Sequence, residues 1–151
     1  MSSSHTLRIA SVPLARVVPL RTAILRGGNA AAAVWANDDH PQAVHLAASV
    51  GDDILGVTSF FPDPWPDEPT RSAWRLRGVA VREDVRGTGV ASALAAEVIR
   101  RALTMAEPPE LLWCNARTSA LGFWRRVGFE IVGEEFLTDT GIPHFRAVRS
   151  I

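Results

Sequence analysis

The chain has 151 residues, of which 47% are hydrophobic, and a formal net charge of zero. This length predicts one domain spanning residues 1–151, and the balance of apolar and charged residues excludes a disordered chain. The neutral charge argues against nucleic-acid or acidic-membrane partners, and the single cysteine, Cys114, excludes an internal disulfide.

The first residues, MSSSHTLRIASVPL, contain no apolar stretch of signal-peptide length. No apolar run elsewhere approaches the roughly 20 residues needed to cross a bilayer. A reducing compartment suits a chain with one cysteine. The expected location is therefore the cytoplasm.

The first half of the chain predicts a helix, a loop and a hairpin. Leu14 to Arg26 has apolar residues at helical spacing, and Pro19 must start or bend that helix. Gly27 to Gln42 predicts a loop with a short helix at its alanines. The segments AVHLAASV and ILGVTSFF, separated by GDD, predict two strands joined by a tight turn.

The second half begins with PDPWPDEPT, a proline-rich segment that predicts a loop. The elements expected after it are a strand at Ala73–Val81, a helix at Gly89–Ala106, a strand at Leu111–Ala116, a helix at Thr118–Gly128, and the strands FEIVGEEFLT and HFRAVRSI. Strands in pairs at both ends, with strand–helix–strand between them, predict a mixed sheet with helices on both faces.

The turn Arg86-Gly87-Thr88-Gly89 lies between a predicted strand and a predicted helix. A helix N-terminus has unpaired N–H groups and a partial positive charge, and glycines let that backbone approach a phosphate. The dinucleotide pattern G-x-G-x-x-G fails because Ser92 stands where its third glycine belongs, and the mononucleotide pattern fails because the chain has no lysine. These residues alone leave a phosphate site and an ordinary turn both open.

The wider segment VREDVRGTGVASALAAEVI resembles the acetyl-CoA loop of the GNAT acetyltransferase superfamily, whose pattern is R/Q-x-x-G-x-G/A. The segment RTSALGFWRRVGF, Arg117 to Phe129, resembles the second signature of that superfamily, N-x-x-A-x-x-F-Y-x-K-x-G-F. GEEFLTDTGIPHFRAV is similar to a C-terminal hairpin of a small bacterial branch. Together these segments identify the chain as a member of that superfamily.

The resemblance implies an α/β (α+β) fold of the single-domain GNAT-like acyl-CoA N-acyltransferase type. Its sheet would be mixed and mostly antiparallel, with six to seven strands splayed in the middle and about four flanking helices. The implied activity is transfer of acetyl from the cosubstrate acetyl-CoA to a primary amine of a small molecule or peptide, by direct attack in a ternary complex. A homodimer is a family-level expectation.

Two alternatives stand beside that activity: a non-catalytic acyl-CoA-binding sensor and a transferase for a longer acyl-CoA. The sensor is favoured by Trp124, which stands where the family commonly has a tyrosine proposed to protonate the leaving thiolate. An indole N–H is too weak an acid for that task, and the chain has no tyrosine. Trp124 is therefore expected to bind the cofactor rather than to catalyse.

The resemblance also implies which residues hold the cofactor. The backbone of the turn would bind the diphosphate, the strand before it would bind the pantetheine amides, and the Val79 N–H would stabilise the oxyanion. The family's asparagine position is Arg117 here, so nearby Asn115 is the expected side-chain contact. The full expected set is Val79, Ala80, Val81, Arg86, Gly87, Thr88, Gly89, Val90, Ala91, Ser92, Asn115 and Trp124.

The general base is less well marked. His144 is the candidate because histidine titrates near neutral pH and the GIPH loop should border the amine site, but a structural histidine capping that loop is an equal alternative. His45 alternates opposite Val44 and Leu46 and could face the site or solvent.

Other polar groups have competing interpretations. In NDDHP, a solvated turn in which Asp38 or Asp39 attracts a cationic amine is favoured over a metal site, and no metal is expected. Arg75 and Arg77 share a strand face and could meet an acidic group of the substrate or the pair Glu134–Glu135.

Three more side chains are assigned by their surroundings. Cys114 lies in an apolar strand with no histidine beside it in sequence, so it is expected to be a buried structural residue rather than a nucleophile. Trp35 and Trp65 are expected as walls of the amine pocket, with the proline-rich loop as a lid.

Overall fold

The computed structural model describes residues 6–151 of the chain. Among them are seven strands and three α-helices. The number of strands is within the expected six to seven, and the number of α-helices is one fewer than the expected four. In chain order they are β1 (Arg8–Ser11), α1 (Leu14–Leu20), β2 (Val44–Val50), β3 (Asp53–Pro62), β4 (Ala73–Val81), α2 (Val90–Leu103), β5 (Leu111–Arg117), α3 (Leu121–Arg126), β6 (Glu130–Leu137) and β7 (Pro143–Ser150).

The chain forms two compact units, and strand β4 contributes to both. The first unit comprises the described residues up to Phe61 together with Gly78–Val98, with strands in the order β1-β2-β3-β4. The second comprises Pro62–Arg77 and Ile99–Ile151, with the order β4-β5-β7-β6. Antiparallel pairs predominate, as expected, and the β4–β5 pair is parallel because helix α2 connects the two strands.

In the first unit the expected hairpin is present, and a short strand that the sequence did not mark lies beside it. Strands β2 and β3 are antiparallel, from Val44 opposite Phe60 to Val50 opposite Asp53. Strand β1 pairs with β2 from Arg8 opposite Ser49 to Ser11 opposite Leu46. Only four residues long, β1 has too few positions to show an alternating pattern, and its pairing with β2 defines it.

Helix α1 is confirmed, and Pro19 lies inside it. After Leu20 the chain continues as a π-helical turn over Arg21–Leu25. A proline inside a helix removes one backbone donor, and its ring collides with the carbonyl four residues earlier. A wider π turn is one way in which a helix relieves such crowding.

The core of the first unit forms where this helical segment covers the hairpin. Val17, Ala47, Val57 and Ala80 are almost completely buried together. On helix α2, Val90, Leu94 and Val98 are also buried, as their helical spacing predicted. Gly56 allows the close approach of that helix, because a Cβ there would lie 2.7 Å from Val90 Cγ1.

The second unit is built around β5. Its register with β7 runs from Leu111 opposite Ser150 to Arg117 opposite His144, whereas its parallel ladder with β4 covers only Ala73–Arg75. The parallel ladder between β4 and β5 is therefore only three residues long on each strand.

The tryptophan of the proline-rich loop is buried in the core of the second unit. Trp65 is 3% exposed and belongs to a core cluster with Ala73, Leu111 and Trp113. Its ring meets that of Trp113 edge to face, with 5.6 Å between the centroids. The expectation that Trp65 lines an amine pocket was wrong, because this tryptophan anchors the loop to the core.

Within residues 6–151 no helix is both long enough and apolar enough to span a bilayer.

Candidate active site

The turn after β4 is held by hydrogen bonds within the first unit. The Arg82 N–H donates to the Leu55 carbonyl over 2.9 Å, which ties the start of the turn to β3. Residues Glu83–Val85 then form a 3₁₀ turn. The Arg82 guanidinium bonds both carboxylate oxygens of Asp84 and lowers the pKa of that carboxyl group. The turn therefore has a defined shape before any ligand binds.

Gly87 and Gly89 are required by backbone geometry. Their φ angles are +78° and +94°, a region that residues with a Cβ rarely adopt. Apart from the chain neighbours, no heavy atom of residues 6–151 lies within 4 Å of where a Cβ would be at either glycine. The backbone here borders open space, which a ligand could approach.

The amide groups of the turn divide into used and available donors. The Thr88 N–H donates to the Val85 carbonyl over 3.3 Å, so it serves the turn itself. At the start of helix α2, Ala93 is the first residue whose N–H donates to a carbonyl four residues earlier. Its acceptor is the Gly89 carbonyl. The amides of Val90–Ser92 precede that bond and have no acceptor within the helix. An anion at this end of the helix would meet those donors.

Strand β4 leads into this turn. Residues Val79–Val81 lie beyond its parallel ladder with β5, which ends at Arg75. Gly78, just before them, has a φ of +76°. A Cβ at Gly78 would lie 2.7 Å from the ring of Trp35, so this tryptophan lies directly against the strand beside Val79. Such a position fits the expectation that Trp35 forms a wall of the site.

Asp38 forms a buried ion pair rather than part of a solvated turn. Arg21 is completely buried, and its guanidinium makes a two-pronged contact with the Asp38 carboxylate at 2.8 and 2.9 Å. Its charged carbon also lies 3.9 Å from the ring centre of Trp35. The idea that Asp38 attracts an amine was wrong, since Arg21 already occupies that carboxylate. Within the described part of the chain, no cluster of acidic, histidine and cysteine side chains could hold a metal.

His45 belongs to the same buried network. The Arg21 guanidinium donates to Ser59 Oγ at 2.7 Å, and Ser59 Oγ lies 2.7 Å from His45 Nδ1. His45 Nε2 lies 3.1 Å from the Asp38 carbonyl oxygen, which can only accept. Nε2 must therefore be protonated, and Nδ1 accepts from the serine hydroxyl. Both ring nitrogens have structural partners, so His45 faces neither solvent nor a reacting group.

Asn115 and Trp124 lie in the second unit. The Asn115 side-chain oxygen is buried and has no hydrogen-bond donor among residues 6–151. Trp124 is 7% exposed, and its ring meets those of Phe123 and Phe129 edge to face at 5.1 and 5.2 Å. The Asn115 oxygen fits a ligand that brings an N–H group, whereas Trp124 is held mainly by its aromatic neighbours.

His144 is also in the second unit and has a defined tautomer. Its Nδ1 lies 2.7 Å from the carbonyl oxygen of Ile142, so Nδ1 carries a proton that it donates to that oxygen. The ring stacks on that of Phe136, with 6.2 Å between the ring centroids. In the neutral imidazole the basic lone pair is then on Nε2.

Cys114 has no features of a nucleophile. Its side chain is 1% exposed, and burial raises the pKa of its thiol far above the usual value. A raised pKa means that almost no thiolate forms near neutral pH. The expectation that Cys114 is buried is confirmed.

Comparison with known proteins identifies the fold and the chemistry. A family model described as "Acetyltransferase (GNAT) family" matches residues 16–129, which include the turn, the Asn115 strand and helix α3. The chain belongs to the GNAT acetyltransferase family. It is therefore an acetyltransferase enzyme, and its reaction is the transfer of an acyl group.

One curated relative is similar to this chain in sequence, and two solved structures are similar to it in fold. The chain is 27% identical over 132 residues to "Uncharacterized N-acetyltransferase YitI" of Bacillus subtilis (strain 168), covering 86% of this chain and 87% of the relative. Escherichia coli ElaA has the same fold, with a TM-score of 0.75 and 17% identity over 96% of this GNAT chain and all of ElaA. The NatC complex bound to Gag peptide and CoA matches with a TM-score of 0.75 and 15% identity, covering 96% and 98% of the two chains.

Proposed function

We propose that this GNAT enzyme is an N-acetyltransferase that moves the acetyl group of acetyl-CoA directly to a primary amine. The main support is the turn after β4, where two left-handed glycines border open space and the amides of Val90–Ser92 have no acceptor within their helix. The NatC complex, which has this fold, has CoA bound. When bound here, acetyl-CoA would supply the acetyl group as a thioester with an electrophilic carbonyl carbon.

The turn would hold the diphosphate. Its donors would be the amides of Gly87, Gly89 and Val90–Ser92, with Arg86 adding a charge at the rim. The Thr88 amide would contribute least, because it is already bonded to Val85. Negative charge is favourable at this position, since the helix dipole adds about half a positive charge to its N-terminus.

Strand β4 would hold the pantetheine arm. Val79–Val81 extend beyond the β5 ladder, so their backbone groups are suited to pair with the amides of an extended ligand, as an added strand would. The Val79 N–H would donate to the thioester oxygen, which becomes negative as the amine attacks. Asn115 would accept a hydrogen bond from the cofactor through its unpartnered oxygen, and Trp124 would give an apolar contact.

The proposed chemical step needs a base for the attacking amine. The amine nitrogen forms a bond to the carbonyl carbon, the carbon–sulfur bond breaks, and coenzyme A leaves as a thiolate. His144 would take the proton lost by the amine on Nε2, because Nδ1 is protonated by its bond to Ile142. With no tyrosine in the chain, the thiolate would be protonated by solvent.

Three narrower expectations remain predictions: acetyl as the preferred acyl group, assembly as a homodimer, and location in the cytoplasm. The first can be measured directly, by comparing acetyl-CoA with propionyl-CoA and longer acyl-CoA thioesters as donors.

The deciding experiment is release of the coenzyme A thiol from acetyl-CoA across a panel of amines, beside calorimetric titration of acetyl-CoA. We expect binding, and turnover with at least one primary amine. Binding without turnover over a broad panel would instead favour the sensor interpretation, which the missing tyrosine raises. Failure to bind acetyl-CoA would overturn the assignment of the turn.

A further inference from the structure

Two arginines in the second unit lie against one buried tryptophan. Arg75 on β4 and Arg146 on β7 have their guanidinium carbons 4.8 and 5.7 Å from the ring centre of Trp113. The Arg146 guanidinium is also 5.2 Å from the ring centre of Phe136. These are distances at which an aromatic face attracts a cation.

The tryptophan is a rigid platform. Trp113 is 3% exposed, and its indole N–H donates to the Asp63 carbonyl over 2.9 Å. The edge-to-face contact with Trp65 supports the ring from the core. Both arginine side chains therefore rest on a ring that cannot readily reorient.

The charges of this cluster are not balanced. Among residues 6–151, Arg75 forms an ion pair only with Asp63, whose Oδ2 lies 3.6 Å from Nη1. Arg146 has no ion pair with any residue between 6 and 151. The Nε atoms of both arginines are buried without an acceptor. Burial lowers the pKa of Arg75, and the nearby charge of Arg146 acts in the same direction.

The sequence left the partner of Arg75 open between an acidic group of the substrate and the pair Glu134–Glu135. The second option does not hold for Arg75, which contacts Asp63 and Trp113 instead. Glu135 accepts a hydrogen bond from the Thr118 hydroxyl at 2.8 Å. Of the two guanidinium charges, that of Arg146 therefore has no carboxylate partner among residues 6–151.

We propose that Arg146 and Arg75, resting on Trp113, bind a carboxylate, and that this carboxylate belongs to the amine substrate. The surplus positive charge favours an anion, and a guanidinium presents two parallel donors to a carboxylate. The rings of Trp113 and Phe136 would flank the carbon atoms next to that group. The acyl acceptor is then an amino acid or another aminocarboxylate, an inference that rests on the proposed N-acetyltransferase function.

The first test measures the anion site without catalysis. Succinate is titrated calorimetrically into wild type and into the variants Arg146→Met, Arg146→Lys and Arg125→Met, with succinamide as the uncharged analogue. Arg125 is an exposed arginine on α3, so its variant removes the same charge away from the cluster. Circular dichroism checks that each variant is folded.

We expect succinate to bind wild type and Arg125→Met alike, and at least about tenfold more weakly to Arg146→Met. Arg146→Lys should be intermediate, because it keeps the charge but loses the two-pronged geometry. Succinate binding that is absent, or equal in Arg146→Met, would overturn the site. Inorganic phosphate binding that is tighter than succinate binding and is lost in Arg146→Met would overturn the assignment of the site to a carboxylate.

The second test identifies the source of the carboxylate. Amines are compared in pairs that differ only in a carboxylate or a carboxamide, and kcat/KM is measured for each. We expect the carboxylate member to be favoured by about 10- to 100-fold in wild type, and by little in Arg146→Met. Succinate binding without that preference would mean that a free organic acid is the ligand and would overturn the assignment to the substrate. Succinate binding that depends on Arg146, with no turnover of any amine, would support the site and count against the proposed function.

Discussion

Single side chains in this enzyme are defined by what surrounds them rather than by their chemical type. Asp38, His45 and Cys114 all belong to residue types that often do chemistry. Asp38 is bonded by Arg21, both nitrogens of His45 have partners, and Cys114 is buried. Each of them therefore supports the fold, and the reactive groups must be sought elsewhere.

The buried pair Arg21–Asp38 gives a stability prediction. Asp38→Asn would leave the fully buried Arg21 charge without its counter-ion, which typically costs about 3–5 kcal/mol. We expect a loss of that size in the free energy of unfolding, measured by urea denaturation. Asp39→Asn, at the exposed neighbouring carboxylate, is the matched control and should change it by less than about 0.5 kcal/mol. An Asp38→Asn protein as stable as wild type would show that the ion pair contributes nothing.

Cys114 gives a prediction of reactivity. Because burial raises the pKa of its thiol, the reactive thiolate is scarce at neutral and mildly alkaline pH and appears only at higher pH. Native protein should therefore resist iodoacetamide at mildly alkaline pH, whereas protein in guanidinium chloride should be alkylated fully in the same time. Mass spectrometry measures both. Equal rates in the two states would contradict the burial of this side chain.

At the scale of elements, the strand–turn–helix unit of β4 and α2 is the part most directly related to function. Its shape needs glycine at two positions, and its amides are arranged before any ligand arrives. The neighbouring α1 segment is organised differently, since it contains Pro19 and continues after Leu20 as a π turn that includes the buried Arg21.

Gly89 tests the turn. Gly89→Glu places a carboxylate where the diphosphate would lie, and Gly89→Ala imposes the same backbone strain without the charge. We expect the glutamate variant to lose acetyl-CoA binding in calorimetry while keeping its circular dichroism spectrum. The alanine variant should retain measurable binding. Wild-type affinity in Gly89→Glu would refute the phosphate role of this turn.

For the whole molecule, acetyl-CoA binding should appear as added stability. A ligand that binds only the folded state at 100 times its Kd stabilises that state by about 2.7 kcal/mol. For a chain of this size the unfolding temperature should then rise by roughly 5–10 °C. Differential scanning fluorimetry measures the shift, and Gly89→Glu is the control that should show none. An equal shift in that variant would place the cofactor elsewhere.

Most of the secondary-structure elements of this protein were predicted from the sequence alone. The hairpin of β2 and β3, strand β4, helix α2, and the elements from β5 to β7 were all predicted near their observed bounds. Hydrophobic periodicity and turn residues act over a few neighbouring positions, so a linear pattern records them. The glycine turn was also readable, because its two glycines and the adjoining helix start are contiguous.

The tertiary structure alone decided the partners of the polar and aromatic side chains. Asp38 meets Arg21 from 17 residues away, and Ser59 meets the same arginine from 38 residues away. Trp65, expected at a pocket wall, joined the core because Trp113 lies beside it, and β1 became a strand only by pairing with β2. Arg146 gave no signal in the sequence, since its place beside Trp113 depends on the pairing of β5 with β7. Such contacts join distant parts of the chain, so no local pattern could specify them.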